Sequence, residues 1–139
     1  MFNPAEIPPV DSDETLARFV LHASHIRHDQ TVKPDAFMPH PRIELSVTRH
    51  RASTVDELWC EGLRVSSIRQ LKLHGRADVA VKSIESEQLE VVAKPIPENP
   101  NHADVVRWPI EKPLQKMKAL EIANRSKLVL APANIFGDL

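Results

Sequence analysis

The sequence predicts an α+β domain, a small mixed sheet of about four strands packed with three helices. Three observations lead there. Ile43-Glu44-Leu45-Ser46-Val47-Thr48-Arg49 alternates strictly between apolar and polar residues, the pattern of a strand with one buried face. Other stretches carry helix-start signals followed by apolar residues at helical spacing. Twelve prolines against three glycines then cut the chain into short elements, because each Pro fixes φ and removes a backbone donor.

The first helix is expected over residues 13–25. Asp11 and Glu14 have capping-box spacing, and Leu16, Phe19, Val20 and Ala23 form the stripe of a half-buried helix. A Pro-rich loop over 33–41 carries Phe37 and Met38 as core plugs, and the strand over 43–49 follows with Ile43, Leu45 and Val47 inward. Thr54 and Glu57 repeat the capping-box spacing and open a short helix that ends at Gly62, where a left-handed cap is cheap. Residues 63–74 fit either element type. Residues 76–82 and 88–94 read as two strands of a hairpin linked through 83–87. A Pro/Asn loop over 95–109 precedes the last helix, 113–125, whose Pro113 suits a first turn and whose stripe is Leu114, Met117, Leu120 and Ala123. Residues 127–131 close the chain as a strand. Leu16, Phe19, Leu45, Val47, Leu58, Trp59, Val79, Val91, Met117 and Leu120 are expected to share one core.

Length and composition narrow the function classes. The 139 residues suffice for one domain over 1–139, with residues 1–10 as an extended N-terminal arm. Hydrophobic residues make up 42% and charged residues 27%, a globular balance, and no apolar run approaches the ~20 residues a membrane span needs. The start, with Asp11, Asp13 and Glu14 close behind Met1, does not have the form of a signal peptide. Cys60 is the single cysteine, which excludes an internal disulfide or thiolate cage and points to a reducing cytoplasm. With 18 Lys and Arg against 19 Asp and Glu, the chain as a whole is not drawn to nucleic acid or anionic lipid. Cys60, beside Trp59, is expected to be packed.

The chemistry-bearing residues form three groups. His22, His25 and His28 are three apart, but on a helix His22 and His28 would sit about 120° apart around the axis and could not share one ligand face. No metal site is expected from them. Residues 36–76 hold seven Lys and Arg against four Asp and Glu, a local excess that suits phosphate or nucleic acid only weakly, since interleaved exposed aromatics are lacking. In Asn99-Pro100-Asn101-His102-Ala103-Asp104, an extended backbone would aim His102 and Asp104 to one side, as a general base with a carboxylate to orient it. Asn, Pro and Asp are also the commonest turn formers, so the same segment reads first as a structural turn. The sequence does not place the nucleophile that such a pair would activate; Ser46, on the outward face of the strand and so exposed or facing a second layer, is the candidate. Arg42, Arg49 and Asn101 are the ligand-binding candidates. Gly-rich phosphate loops, nucleophile elbows and paired-Cys sites are absent from the sequence, and no cofactor is expected.

Glu44-Leu45-Ser46-Val47-Thr48-Arg49, then Glu57-Leu58-Trp59 with Gly62, then Asn101-His102-Ala103-Asp104-Val105 with Trp108-Pro109, resembles a group of small bacterial proteins to which no activity is assigned. They share a Leu-Ser-Val strand, a Leu-Trp helix and a His-Ala-x-Val-x-x-Trp-Pro segment over about residues 16–132. Arg107 stands here where the group's pattern has Gly. The resemblance implies a bacterial cytoplasmic accessory component. Two functions from different classes therefore stand side by side. One is a non-catalytic interaction or accessory protein, of a defence, toxin–antitoxin or mobile-element module, with a protein partner. The other is a small hydrolase or transferase acting on a phosphate-bearing or nucleotide substrate, with His102 as base and Arg49 or Arg42 as anion clamp.

Overall fold

The structure, a computed structural model, describes residues 1–40 and 42–134; Pro41, the expected end of the Pro-rich loop, lies outside them. The fold is α+β. Six strands form one sheet: β1 Thr15–Val20, β2 Leu45–Arg49, β3 Gly75–Ala80, β4 Glu90–Ala93, β5 His102–Val106 and β6 Lys127–Leu130. Three helices accompany it: α1 Val55–Arg69, α2 Val81–Glu85 and α3 Lys112–Arg125. The sheet order is β4-β5-β2-β1-β3-β6. Every pairing is antiparallel, so the expected mixed sheet of about four strands is corrected to an antiparallel sheet of six.

The largest correction is β1. Residues 15–20 are a central strand between β2 and β3. A central strand covered on both sides is apolar on both sides, so its two faces merge into a spacing that imitates a helix. Leu16 and Val20 enter the main core while Phe19 joins a smaller cluster on the opposite face. Glu14 still accepts the Asp11 N–H at 2.7 Å, as a capping box would have it, but no helix follows.

The 43–49 strand forms as β2, shortened at its start. A bond from His40 N–H to the Glu44 carbonyl, 3.0 Å, closes a turn there. It places Ile43 at φ 59°, so Ile43 is exposed and not part of the inward face. The capping box of Thr54 and Glu57 is present in both directions, at 3.1 and 2.9 Å. The helix it opens runs past Gly62 to Arg69, and the left-handed cap is Gln70 (φ 55°). Gly62 is there for packing: a Cβ on it would lie 2.9 Å from the Phe19 ring and 3.0 Å from Leu73. Cys60, on the same helix, is exposed and not packed.

The expected hairpin of residues 76–82 with 88–94 is not formed. β3 ends at Ala80, α2 turns the chain away, and β4 pairs with β5 at the far edge. The segment expected as a loop over 95–109 therefore holds β5, with Ala103 and Val105 fully buried. A tight turn between Ile96 and Asn99 joins β4 to it. Trp108 is buried, and its indole N–H donates to the Val105 carbonyl at 3.0 Å.

Helix α3 forms where expected but is rotated. Gln115, Ala119, Ile122 and Ala123 face the protein, while Leu114, Met117 and Leu120 face outward at 45, 64 and 39% exposure. The inner face is chosen by close approach: the small Ala119 and Ala123 let the helix settle on the 3-10 turn Pro34–Phe37, whose Phe37 is fully buried. Gln115 is held inward because its amide donates to the Pro109 carbonyl at 2.7 Å. The hydrophobic interior is thus two clusters. The main one lies between the sheet, α3 and the Pro34–Phe37 turn, and the smaller, around Trp59 and Leu73, lies under α1.

Candidate functional site

Pairing of β2 with β5 builds the site. The register sets Ser46 opposite Asp104 and Thr48 opposite His102, and residues directly opposite share a sheet face. Ser46, Asp104 and His102 therefore come together on the face turned away from the main core. The Ser46 hydroxyl donates to Asp104 Oδ1 at 3.5 Å, and His102 Nε2 lies 3.8 Å from the same oxygen. His102 Nδ1 is 3.0 Å from the Lys94 carbonyl. A carbonyl only accepts, so Nδ1 carries the proton and Nε2 is turned toward the carboxylate.

The order of these groups decides what they can do. Nucleophilic catalysis needs the base between nucleophile and carboxylate, so that the base takes the hydroxyl proton. Here the carboxylate is in the middle, and the Ser46 hydroxyl is directed to Asp104 rather than to the imidazole. The arrangement can bind a donor or a cation at Asp104.

Arg49 and Asn101, two of the ligand-binding candidates, are engaged by other parts of the fold. Arg49 is completely buried, with Nε and Nη2 on the two Glu14 carboxylate oxygens at 2.7 Å and further bonds to the Pro8 and Pro9 carbonyls at 2.9 and 3.2 Å. It ties the N-terminal arm to the sheet and turns no donor toward Asp104. Arg42 is exposed in the turn before β2. Asn101 binds the turn that follows β2, through the Arg51 carbonyl at 3.0 Å and Ser53 Oγ at 2.7 Å. Asn99 is buried and donates to Thr48 Oγ1 at 3.1 Å. Both asparagines hold the segment's shape.

Three of the seven basic residues over 36–76 are engaged within the fold. Arg49 is internal, Arg64 is paired with Glu61 at 2.6 Å, and Arg76 is buried against Trp59, its guanidinium carbon 4.7 Å from the ring centroid. Arg76 also pairs with Asp78 at 3.1 Å, and the same Asp78 oxygen lies 3.0 Å from His50 Nε2. This His50–Asp78 contact is shorter than the His102–Asp104 one, and the sequence carries no sign of it, because the partners are 28 residues apart and meet only across β1. Asp78 is already shared with Arg76, so the pair belongs to a part-buried ion cluster. His22 and His25 do touch, ring centroids 4.9 Å apart, at the 3-10 turn Ala23–His25 and not on a helix. Among the described residues no group of three or more His, Cys, Asp or Glu is placed to hold a metal ion, and no helix is long and apolar enough to cross a membrane.

The outer face of α3 is an exposed apolar feature. Leu114, Met117 and Leu120 line an open groove of about 370 Å³ with Pro109, Lys118, Glu87 and Glu121. Ile110, 78% exposed, stands just before it. The expected stripe of the last helix was legible in the sequence; that it faces solvent was not. Comparison of the chain with protein-family models, with curated proteins and with solved structures finds no match.

Proposed function

We propose that the protein is a non-catalytic accessory protein that works by docking a protein partner, of the bacterial kind that the resemblance implies. The observation that supports this reading is the solvent-facing apolar stripe of α3. Contiguous exposed apolar surface beside a groove is unusual on a monomer and marks interaction sites. The order of Ser46, Asp104 and His102 adds to it, since the hydroxyl is directed to the carboxylate and Arg49 is engaged by Glu14.

The test is a pair of substitutions in residues that carry little folding energy. Met117→Glu with Leu120→Glu should leave thermal unfolding nearly unchanged and remove the protein's cross-links to its partner in native extract. Unchanged cross-links in the folded double variant would end this reading. The second reading, a hydrolase or transferase with His102 as base, draws on the closeness of His102, Asp104 and Ser46. It requires that His102→Ala abolish turnover of a phosphate ester by the folded protein.

A further inference from the structure

We infer that the α3 stripe is a self-association surface, occupied by α3 of a second copy running parallel to the first. The inference rests on the docking reading above and names its partner.

The outer face of α3 carries Pro113, Met117, Leu120 and Asn124, all exposed. Their spacing is four, three and four, which is the seam of two helices packed along one another. Two charged residues flank the seam. Lys116 lies on one side and Glu121 on the other, both exposed. In a parallel pair, a flank residue just before one seam position meets the opposite flank of the partner five residues further on, and Lys116 and Glu121 have that spacing. The twofold axis makes the contact twice, Lys116 to the partner's Glu121 and the reverse.

Charge also fixes the direction. An antiparallel pair sets each flank against the same flank of the partner, so Lys116 no longer meets Glu121 and both contacts are lost. Asn124 at a seam position adds a second constraint, because a polar seam residue is satisfied only by its own counterpart in register. Among the described residues Glu121 is approached by Arg125, at 3.8 Å. Lys118 lies off the flank and is already bound to the Glu87 carbonyl, so it does not compete with Lys116. An anionic membrane fits this surface less well, because Glu87 and Glu121 line the groove. The resulting assembly places the two α3 helices side by side between the two sheets.

Sedimentation of the full chain over a dilution series tests this. A reversible monomer–dimer equilibrium is expected, abolished by Met117→Glu. Lys116→Glu or Glu121→Lys alone puts like charges at both symmetric contacts and should weaken the dimer about tenfold. The two together exchange the signs and should restore it. Circular dichroism on each variant separates association from folding. A monomer at every concentration overturns the inference, as does a dimer indifferent to Met117→Glu or an exchange variant no tighter than the singles. A monomer that co-sediments with phosphatidylserine vesicles through Met117 also overturns it, in favour of a membrane. If the chain is monomeric yet loses a different protein on Met117→Glu, the self-association fails while the docking reading stands.

Discussion

Arg49 and Glu14 form a two-pronged ion pair, both contacts at 2.7 Å, with the arginine wholly out of solvent. β1 and β2 bring them together, since Leu16 is opposite Arg49 in the register. The remaining guanidinium donors reach the Pro8 and Pro9 carbonyls, so one buried cation satisfies the backbone of the N-terminal arm.

Removing one partner leaves the other charged and buried, which typically costs about 3–5 kcal/mol. Glu14→Ala should therefore destabilise by about 3 kcal/mol in urea unfolding, and the arm ahead of Asp11 should become susceptible to proteases. Arg49→Met with Glu14→Leu should recover much of the stability while leaving the arm loose. A Glu14→Ala protein as stable as the parent would show that the pair contributes nothing.

The glycines give the second prediction. Ala is favoured over Gly in a helix by about 1 kcal/mol, so Gly62→Ala would ordinarily stabilise α1. The Phe19 ring at 2.9 Å reverses the sign, because forcing a methyl into a filled site costs about 1–3 kcal/mol. A net loss of about 1 kcal/mol is expected. Gly75→Ala should lose more, about 3 kcal/mol, since its Cβ would meet the Val129 backbone carbonyl at 2.6 Å and a backbone atom cannot swing aside. Equal effects of the two changes would contradict this account.

What the sequence made legible follows the range of the forces involved. The capping box of Thr54 and Glu57 is a contact over three residues and is read directly. β2 is legible because only one of its faces carries a run of large apolar side chains. β1 is buried on both faces, so its period is hidden. β5 is concealed by the turn residues at its head, although Ala103 and Val105 alternate correctly. The juxtaposition of Ser46 with Asp104 depends on a register between segments 58 residues apart, and Arg49 with Glu14 on another 35 apart. Neither has a local signature. For α3 the sequence offers two apolar faces, and contact with the Pro34–Phe37 turn selects the smaller-residued one.

Acid sensitivity should begin with histidines. Burial holds His25 below its ordinary 6.5, with help from the neighbouring His22, and burial with Lys72 does the same for His74. A base whose folded pKa is depressed is more readily protonated when unfolded, so the unfolded state takes up protons first. Stability from these groups is complete above 6.5 and is lost as pH falls through their lowered values. Glu14, held below its usual 4.5 chiefly by the Arg49 hydrogen bonds, adds its loss only below that pH. The urea midpoint should thus be flat from alkaline pH down to about 6.5 and then decline, and His25→Gln should flatten the first part of the decline. A midpoint that stays level until about 4.5 would remove the histidines from the account.

The last prediction concerns the turn between β5 and α3. Arg107 has φ 72°, a left-handed conformation that costs a residue with a Cβ about 1–2 kcal/mol and costs Gly almost nothing. The reversal is needed because Trp108 must fold back beneath β5, where its ring enters the main core and its N–H reaches the Val105 carbonyl. Arg107 does make one contact of its own, with Glu90 at 3.2 Å, but both side chains are largely exposed, and such pairs are worth only a few tenths of a kcal/mol. Glycine also loosens the unfolded chain, which takes back part of the gain. The balance is a stabilisation of about 0.5–1 kcal/mol for Arg107→Gly, a rise of a few degrees in Tm. Arg107→Val should move the other way by about 1 kcal/mol, because a β-branched residue tolerates the left-handed region worst. If Gly and Val shift Tm in the same direction, the Glu90 contact rather than the backbone governs this turn.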